Sequence, residues 1–417
     1  MARDRNTEDA QDLFSRGHNA LTAGDYHEAV ECFSRAIRLR PDVAAGYRFR
    51  AYAYLEMGDR VRALNDFDQA IRLKPDDLQA YADRAAELFT QKAFDQAIAD
   101  CDRVLKLDPG RAALFALRAR CHAGRGDSES AFNDYARAIA GDPDHAPRYL
   151  LWRAQLHLDC DNLPAAEADA TEAIRLDPTS PESYYTRGMI RQENEDPAAA
   201  AEDFTEALRL DPDHALARLG RAVCHFLLRD YRSVVADCDG VVKKLPGVVR
   251  TYELRGSAKK SLGDFDGALA DFNEAVRLAP SAVMPYNYRA AVHFARRDYV
   301  AAVRDHMEAL KRDPRHAGTF NQLGWIWATC PDPDVRNGQR AKECATRACE
   351  LTEWAEAGFL DTLAAACAES GEFEDAAKWQ EKAIEKAASE ERAADYRTRL
   401  ELYRQRKPAR IEGGIVD

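Results

Sequence analysis

RGSAKKSLGDFDGALADFNEAVRLAP, residues Arg255–Pro280, reads as two helices and a turn. Gly256, Ala268 and Ala275 are small enough to let two helix backbones approach closely, and Phe265 and Phe272 fill the space beside them. Gly263-Asp264 breaks the chain between the helices. Pro280, which has no backbone N–H to donate, stops the second one. That closing proline returns at Pro41, Pro75, Pro109, Pro143, Pro178, Pro212, Pro246, Pro280 and Pro314, a spacing of 34 residues with one step of 35. A fixed period of this length means a stack of like helical pairs, each touching only its neighbours, and not a single globular core.

Five residue types travel together with the period: a small residue in the first helix, an Ala in the second, a large side chain four later, another Ala three later, and the proline. Ala51, Ala63, Phe67, Ala70 and Pro75 form one set, and Gly188, Ala200, Phe204, Ala207 and Pro212 another. In these residues the chain resembles the tetratricopeptide repeat (TPR) family, over residues 10 to 387. The resemblance implies an all-α, right-handed superhelical solenoid of about eleven helix-turn-helix repeats plus a C-terminal capping helix. It also implies a non-enzymatic protein-protein interaction scaffold that holds a peptide or helix of a partner in a groove lined by first helices. A regulatory sensor, whose superhelix responds to a bound peptide or small ligand, is the alternative reading.

Composition bounds the function from the other side. With 59 Lys+Arg against 71 Asp+Glu the net charge is −12, which opposes nucleic-acid binding and favours solubility. No apolar run approaches the length of a membrane span, and the start MARDRNTEDAQDLF lacks the apolar core of a secretory signal, so a cytoplasmic protein is expected. The ten cysteines follow the repeat register: Cys101 and Cys238 stand where Phe67 does, Cys32 and Cys344 one residue earlier, and Cys121 and Cys224 inside first helices. Those are packing positions, there is no CxxC, and reduced thiols without a metal are expected. No Gly-rich phosphate loop, G-x-S-x-G elbow or HExxH occurs, so neither a catalytic residue nor a cofactor is assigned.

Taken in order, residues 1–9 are polar and expected to be disordered, 10–314 hold nine regular repeats, and 315–387 hold two degenerate ones. The extra residue of the fifth repeat falls near Asp144-His145-Ala146-Pro147, where a turn can absorb it. The tenth repeat has a lengthened inter-helix loop at 331–338. There Asp332, Asp334 and Glu343 are spaced like calcium-loop positions, but Arg336 and Asn337 occupy two positions the ion needs, so no calcium site is expected. Residues 388–406, with Tyr396, Leu400 and Tyr403 on one face, read as the capping helix, and 407–417 as a flexible tail.

An Arg precedes the small residue of the first helix at Arg50, Arg84, Arg118, Arg153, Arg187, Arg221, Arg255 and Arg289, and an Asp follows sixteen residues later each time, from Asp66 to Asp305. The degenerate repeats lose both partners together, with Leu323 and Leu363 at the Arg position. Joint loss points to a structural pair within a repeat, while Arg16, which has Cys32 in place of its Asp, leaves pairing across repeats open. His122, His157, His225 and His293 share another first-helix position. They are open to two readings, a proton-sensitive stripe or half-buried hydrogen-bonding side chains.

A subset of the TPR family clamps a terminal carboxylate with Lys and Asn. Here the matching positions hold Phe14, His18, Arg48, Phe49, Tyr52, Asp83 and Ala86, without those residues. The candidate peptide-binding residues lie further along: Leu151, Tyr185, Met189, Leu219, Val223 and Phe226 are apolar at groove-facing family positions. Leu219, Val223 and Phe226 share one helical stripe, and Tyr185 and Met189 form the equivalent stripe one repeat earlier. Asn287, Phe294, Asn321 and Trp325 add two side-chain amides spaced to hold the backbone of an extended peptide. The competing reading places the apolar stripes in the core.

Overall fold

The computed structural model describes residues 9–411, so of the N-terminal stretch expected to be disordered only Asp9 is included, and of the expected tail only residues 407–411. Among the described residues there are 23 α-helices and no strand. They fall into two compact units that divide after Asp196. The first contains α1 (Ala10–Ala23), α2 (Tyr26–Leu39), α3 (Ala44–Glu56), α4 (Arg60–Leu73), α5 (Leu78–Thr90), α6 (Phe94–Leu107), α7 (Ala112–Gly124), α8 (Ser128–Gly141), α9 (Ala146–Asp159), α10 (Leu163–Leu176) and α11 (Pro181–Glu193). The second contains α12 (Pro197–Leu210), α13 (Ala215–Leu227), α14 (Tyr231–Lys244), α15 (Val249–Ser261), α16 (Phe265–Leu278), α17 (Met284–Ala295), α18 (Tyr299–Arg312), α19 (Ala317–Thr329), α20 (Gly338–Leu351), α21 (Ala357–Glu369), α22 (Phe373–Glu385) and α23 (Glu390–Arg404).

The pair α15/α16 shows why the sequence pattern works. Gly263 takes φ +82°, the left-handed conformation a helix end needs, and Asp264 then caps α16 by accepting from the Gly267 N–H. A Cβ on Gly256 would lie 2.9 Å from the Phe272 ring, so the α15 backbone rests directly on that ring. Ala268 and Ala275 are fully buried beside it. Burying one such Phe contributes about 2–3 kcal/mol, and the arrangement recurs at Phe33, Phe67 and Phe204, all fully buried. The extra residue of the fifth repeat is taken up at the start of α9, which is 14 residues long with Pro147 in its first turn, where α5 and α7 have 13.

The Arg and Asp ladder is paired, and it satisfies both readings left open above. Arg84 Nε and Nη2 donate to Asp100 at 2.8 and 2.6 Å, tying α5 to α6, while Nη1 reaches back to Asp68 on α4 at 2.6 Å. One guanidinium therefore joins two successive repeats, and its hydrogen bond to Asp100 holds it protonated well above its ordinary value. The same bidentate pairing links Arg50 to Asp66, Arg118 to Asp134, Arg221 to Asp237 and Arg289 to Asp305. Arg16, which lacks the Asp, turns to Glu28 at 3.4 Å in an exposed pair. The histidine stripe sits on the ladder carboxylates: His157, His225 and His293 Nε2 lie 3.7–3.9 Å from Asp169, Asp237 and Asp305. Burial lowers the His157 pKa.

The C-terminal end is closed differently. Residues 330–337 form the lengthened connection between α19 and α20, pinned where the Asn337 N–H donates to the Trp327 carbonyl and Arg336 Nη1 donates to the carbonyls of Cys330 and Pro331. Helix α23 packs on α22 and buries Tyr396, Leu400 and Tyr403. Beyond it the chain turns back, with the Ile411 N–H on the Thr329 carbonyl at 3.0 Å and Arg410 on Glu369 at 2.7 Å. The ten cysteines are free thiols, eight of them buried, with Cys344 half-buried and Cys160 exposed. No helix among the described residues is long and apolar enough to cross a membrane.

Candidate functional site

In the first unit the first helices α5, α7 and α9 run side by side and leave two adjoining cavities. The larger, about 540 Å³, is lined from α5 by Gln79, Ala82, Asp83 and Ala86 and from the α6–α7 connection by Arg111. The smaller, about 290 Å³, is lined by Arg120 of α7 and by Arg148, Tyr149 and Trp152 of α9. Ala113, Leu117 and Asp142 line both, so the two form one trough across three repeats. Small side chains at Ala82, Ala86 and Ala113 open this space, because larger ones at those positions would close the face.

The trough carries a distinct pattern of charge. Asp83 accepts from the Tyr52 hydroxyl and from Gln79 Nε2 at 2.8 Å, and burial pushes its carboxyl above the ordinary value. Arg111 is tethered to Asp108 at 3.0 Å and to Gln79 Oε1 at 3.2 Å. Asp142 accepts from His145 Nδ1 at 2.9 Å and from the Tyr149 hydroxyl at 3.3 Å, and the His145 bond holds its pKa below the carboxylate norm. Arg120 and Arg148 stack on the Trp152 ring, each with its guanidinium carbon 4.6 Å from the ring centre. Sequence reasoning passed over both arginines. A usable signal was present: Ala136 and Pro164 stand sixteen residues after Arg120 and Arg148, so neither has the Asp that occupies a ladder arginine.

The residues selected from sequence are placed as follows. Leu151 is half-buried and packs on the cluster of Ala154, Ala166, Ala170 and Ile190. Tyr185 and Met189 are half-buried on α11, and burial raises the Tyr185 pKa. In the second unit Leu219, Val223 and Phe226 are half-buried and pack against Ala222, Val234, Cys238 and Leu254, so they belong partly to the core. Leu216 and Leu227 flank that stripe on α13 and are 56% and 59% exposed, although the sequence reading did not select them.

Phe294 stacks edge-on against Tyr299 at 5.5 Å. Asn287 is engaged inside the protein: its Nδ2 donates to Thr319 Oγ1 at 2.8 Å and its Oδ1 sits 2.9 Å from His306 Nδ1. Asn321 Oδ1 and Trp325 Nε1 are buried without a hydrogen-bond partner. The guanidinium of Arg399, on the capping helix, lies 5.5 Å from the Trp325 ring centre. No group of three or more His, Cys, Asp or Glu side chains among the described residues is placed to hold a metal ion.

A family model described as tetratricopeptide repeat matches residues 14–59, 50–112, 116–181, 185–237 and 254–317. Among solved structures, yeast Tom70 is similar at 17% identity over 95% of this chain and 96% of that one, with a TM-score of 0.43. A tetratricopeptide repeat protein from Parabacteroides merdae ATCC 43184 is similar at 20% identity over 56% of this chain and 93% of its own, with a TM-score of 0.44. PilF from Pseudomonas aeruginosa is similar at 22% identity over 51% and 96%, with a TM-score of 0.45. A search of curated proteins finds no match.

Proposed function

Because the chain belongs to the tetratricopeptide repeat family, whose repeats serve generally as protein-interaction scaffolds, we propose that it is a non-enzymatic scaffold holding an extended segment of a partner protein along its first-helix face. The observation that carries this reading is the trough of two adjoining cavities across α5, α7 and α9. It combines apolar floor at Leu117 and Trp152 with donors and acceptors at Gln79, Asp83 and Arg111, the mixture that main chain and side chains of a bound peptide require. The face of α13, with Leu216 and Leu227 exposed beside Leu219, Val223 and Phe226, supplies a separate apolar contact surface in the second unit.

The test uses the full chain as bait. Partners recovered by affinity capture and identified by mass spectrometry are recombined with it, and amide exchange is compared with and without partner. Protection concentrated on α5, α7 and α9, and lost in Leu117→Glu, is expected. Protection confined to the second helices α6, α8 and α10, with Leu117→Glu binding normally, refutes the groove reading.

A further inference from the structure

We propose that the pocket between Arg120 and Arg148 binds the carboxylate of an Asp or Glu side chain in an extended, otherwise uncharged segment of a partner protein. This rests on the groove reading above and names the chemistry of its occupant. Arg120 is held between two rings, its guanidinium carbon 4.2 Å from the centre of Phe89 and 4.6 Å from that of Trp152, and Arg148 lies over the same indole. Ring stacking occupies the faces of a guanidinium and leaves its edges, where the five N–H donors point, open to a ligand.

No carboxylate among the described residues pairs with either guanidinium, and neither donates a hydrogen bond. Arg84 and Arg118 are bound by the ladder, Arg48 faces Asp77 at 3.6 Å, and Arg111 is held by Asp108. Asp142, the acid that lines the pocket itself, is already hydrogen-bonded by His145 and Tyr149. In a chain of net charge −12, two unmatched cations sharing one indole stand out. Two like charges so placed repel each other, and an anion between them turns that repulsion into attraction.

The fork of a guanidinium matches a carboxylate bidentately, and both arginines line the one pocket. Ala113, Leu117 and Tyr149 provide apolar walls for the methylene stem. The wider part of the trough then takes the flanking residues, where Gln79 can meet a peptide amide. Asp83 borders only that part, so a second acid beside the first is repelled there. An isolated acidic residue among neutral ones therefore fits better than a polyanionic run.

Fluorescent decapeptide pools test this, each with its central residue held as Glu, Gln or phosphoserine and the others randomised over Ala, Leu and Ser. Anisotropy titrations against the full chain are expected to show the Glu pool binding about tenfold tighter than the Gln pool at low salt, as charge-assisted hydrogen bonds allow. That preference should disappear in Arg120→Gln/Arg148→Gln and shrink at high salt. Arg148→Gln alone, at an exposed side chain, carries the same comparison should the double variant fold poorly. Equal binding of the Glu and Gln pools overturns the carboxylate proposal while the groove reading stands. Preference for the phosphoserine pool alone overturns it in favour of phosphate. Failure of every pool to bind defeats both.

Discussion

In the regular repeats a guanidinium crosses from the first helix to the second and back to the preceding repeat, whereas α19/α20 and α21/α22 place Leu323 and Leu363 at that position and bury both. Around the leucines lies a continuous apolar cluster with Trp327, Leu360, Tyr396 and Tyr403. A charged pair appears there in another place. Asp361 on α21 accepts from Arg399 of the capping helix and from Gln380, each at 2.7 Å. An interior repeat is wetted at its ladder arginines, whose side chains stay 13–24% exposed, so the ion pair keeps part of its hydration. The closing repeats must seal an end, and an apolar cluster does so without desolvating an Arg at every step. The buried Asp361 then fixes where α23 docks.

The strongest way to break that contrast is Leu363→Arg, which puts a ladder cation into the sealed end without its Asp. A stranded buried charge should cost more than about 5 kcal/mol and abolish amide protection of α21, α22 and α23. Retained protection would mean that the end tolerates the ladder after all. Arg118→Ala comes next. It leaves Asp134, 4% exposed, without its cation and should cost about 3–5 kcal/mol, read as lost protection in α7 and α8. The exposed pair in Arg16→Ala should cost under about 1 kcal/mol. Equal effects of the two would show that burial of the ladder contributes nothing.

A third measurement uses His306, which stands where Phe272 does one repeat earlier and faces Asp305, Asn287 and, nearby, His316. Burial pushes its pKa down from 6.5 to about 4. The unfolded chain therefore binds the proton first, so stability is intact above about pH 6.5 and is lost as pH falls from there towards 4, by about 3 kcal/mol in all. Melting temperatures at pH 7 and pH 5 should diverge in the wild type and converge in His306→Phe; an unchanged slope in the variant rejects the assignment. A small effect on stability, close to that of Arg16→Ala, is expected of Val223→Glu. Its side chain is half-buried on α13, so a carboxylate there can reach water at a cost of about 1 kcal/mol while disrupting partner capture at that face. Unfolding of α13 and α14 would place the stripe wholly in the core.

Partners at fixed spacing were legible in advance. Arg84 and Asp100 are sixteen residues apart in one helix-turn-helix unit, and the unit's geometry is set locally by its turn and its small residues, so their meeting follows from the repeat. Asn287 and Trp325 were not legible in that way. Asn287 is taken by Thr319, thirty-two residues on, and by His306, while Trp325 is covered by Arg399, which arrives from the capping helix. Those contacts depend on residues that the repeat pattern leaves free to vary.

The amino-acid sequence by itself determined the period, the helical pairs, the ladder and the altered C-terminal end, because each depends on residue size, backbone freedom or charge at a fixed local interval. Only the tertiary structure decided which first-helix side chains remain available. Small residues at Ala82, Ala86 and Ala113 open a trough between helices 34 residues apart, and Trp152 gathers Arg120 and Arg148 from two different helices onto one ring. Whether a groove residue is spoken for depends on every chain segment that packs within its reach, and that is a property of the assembled stack and not of any one repeat.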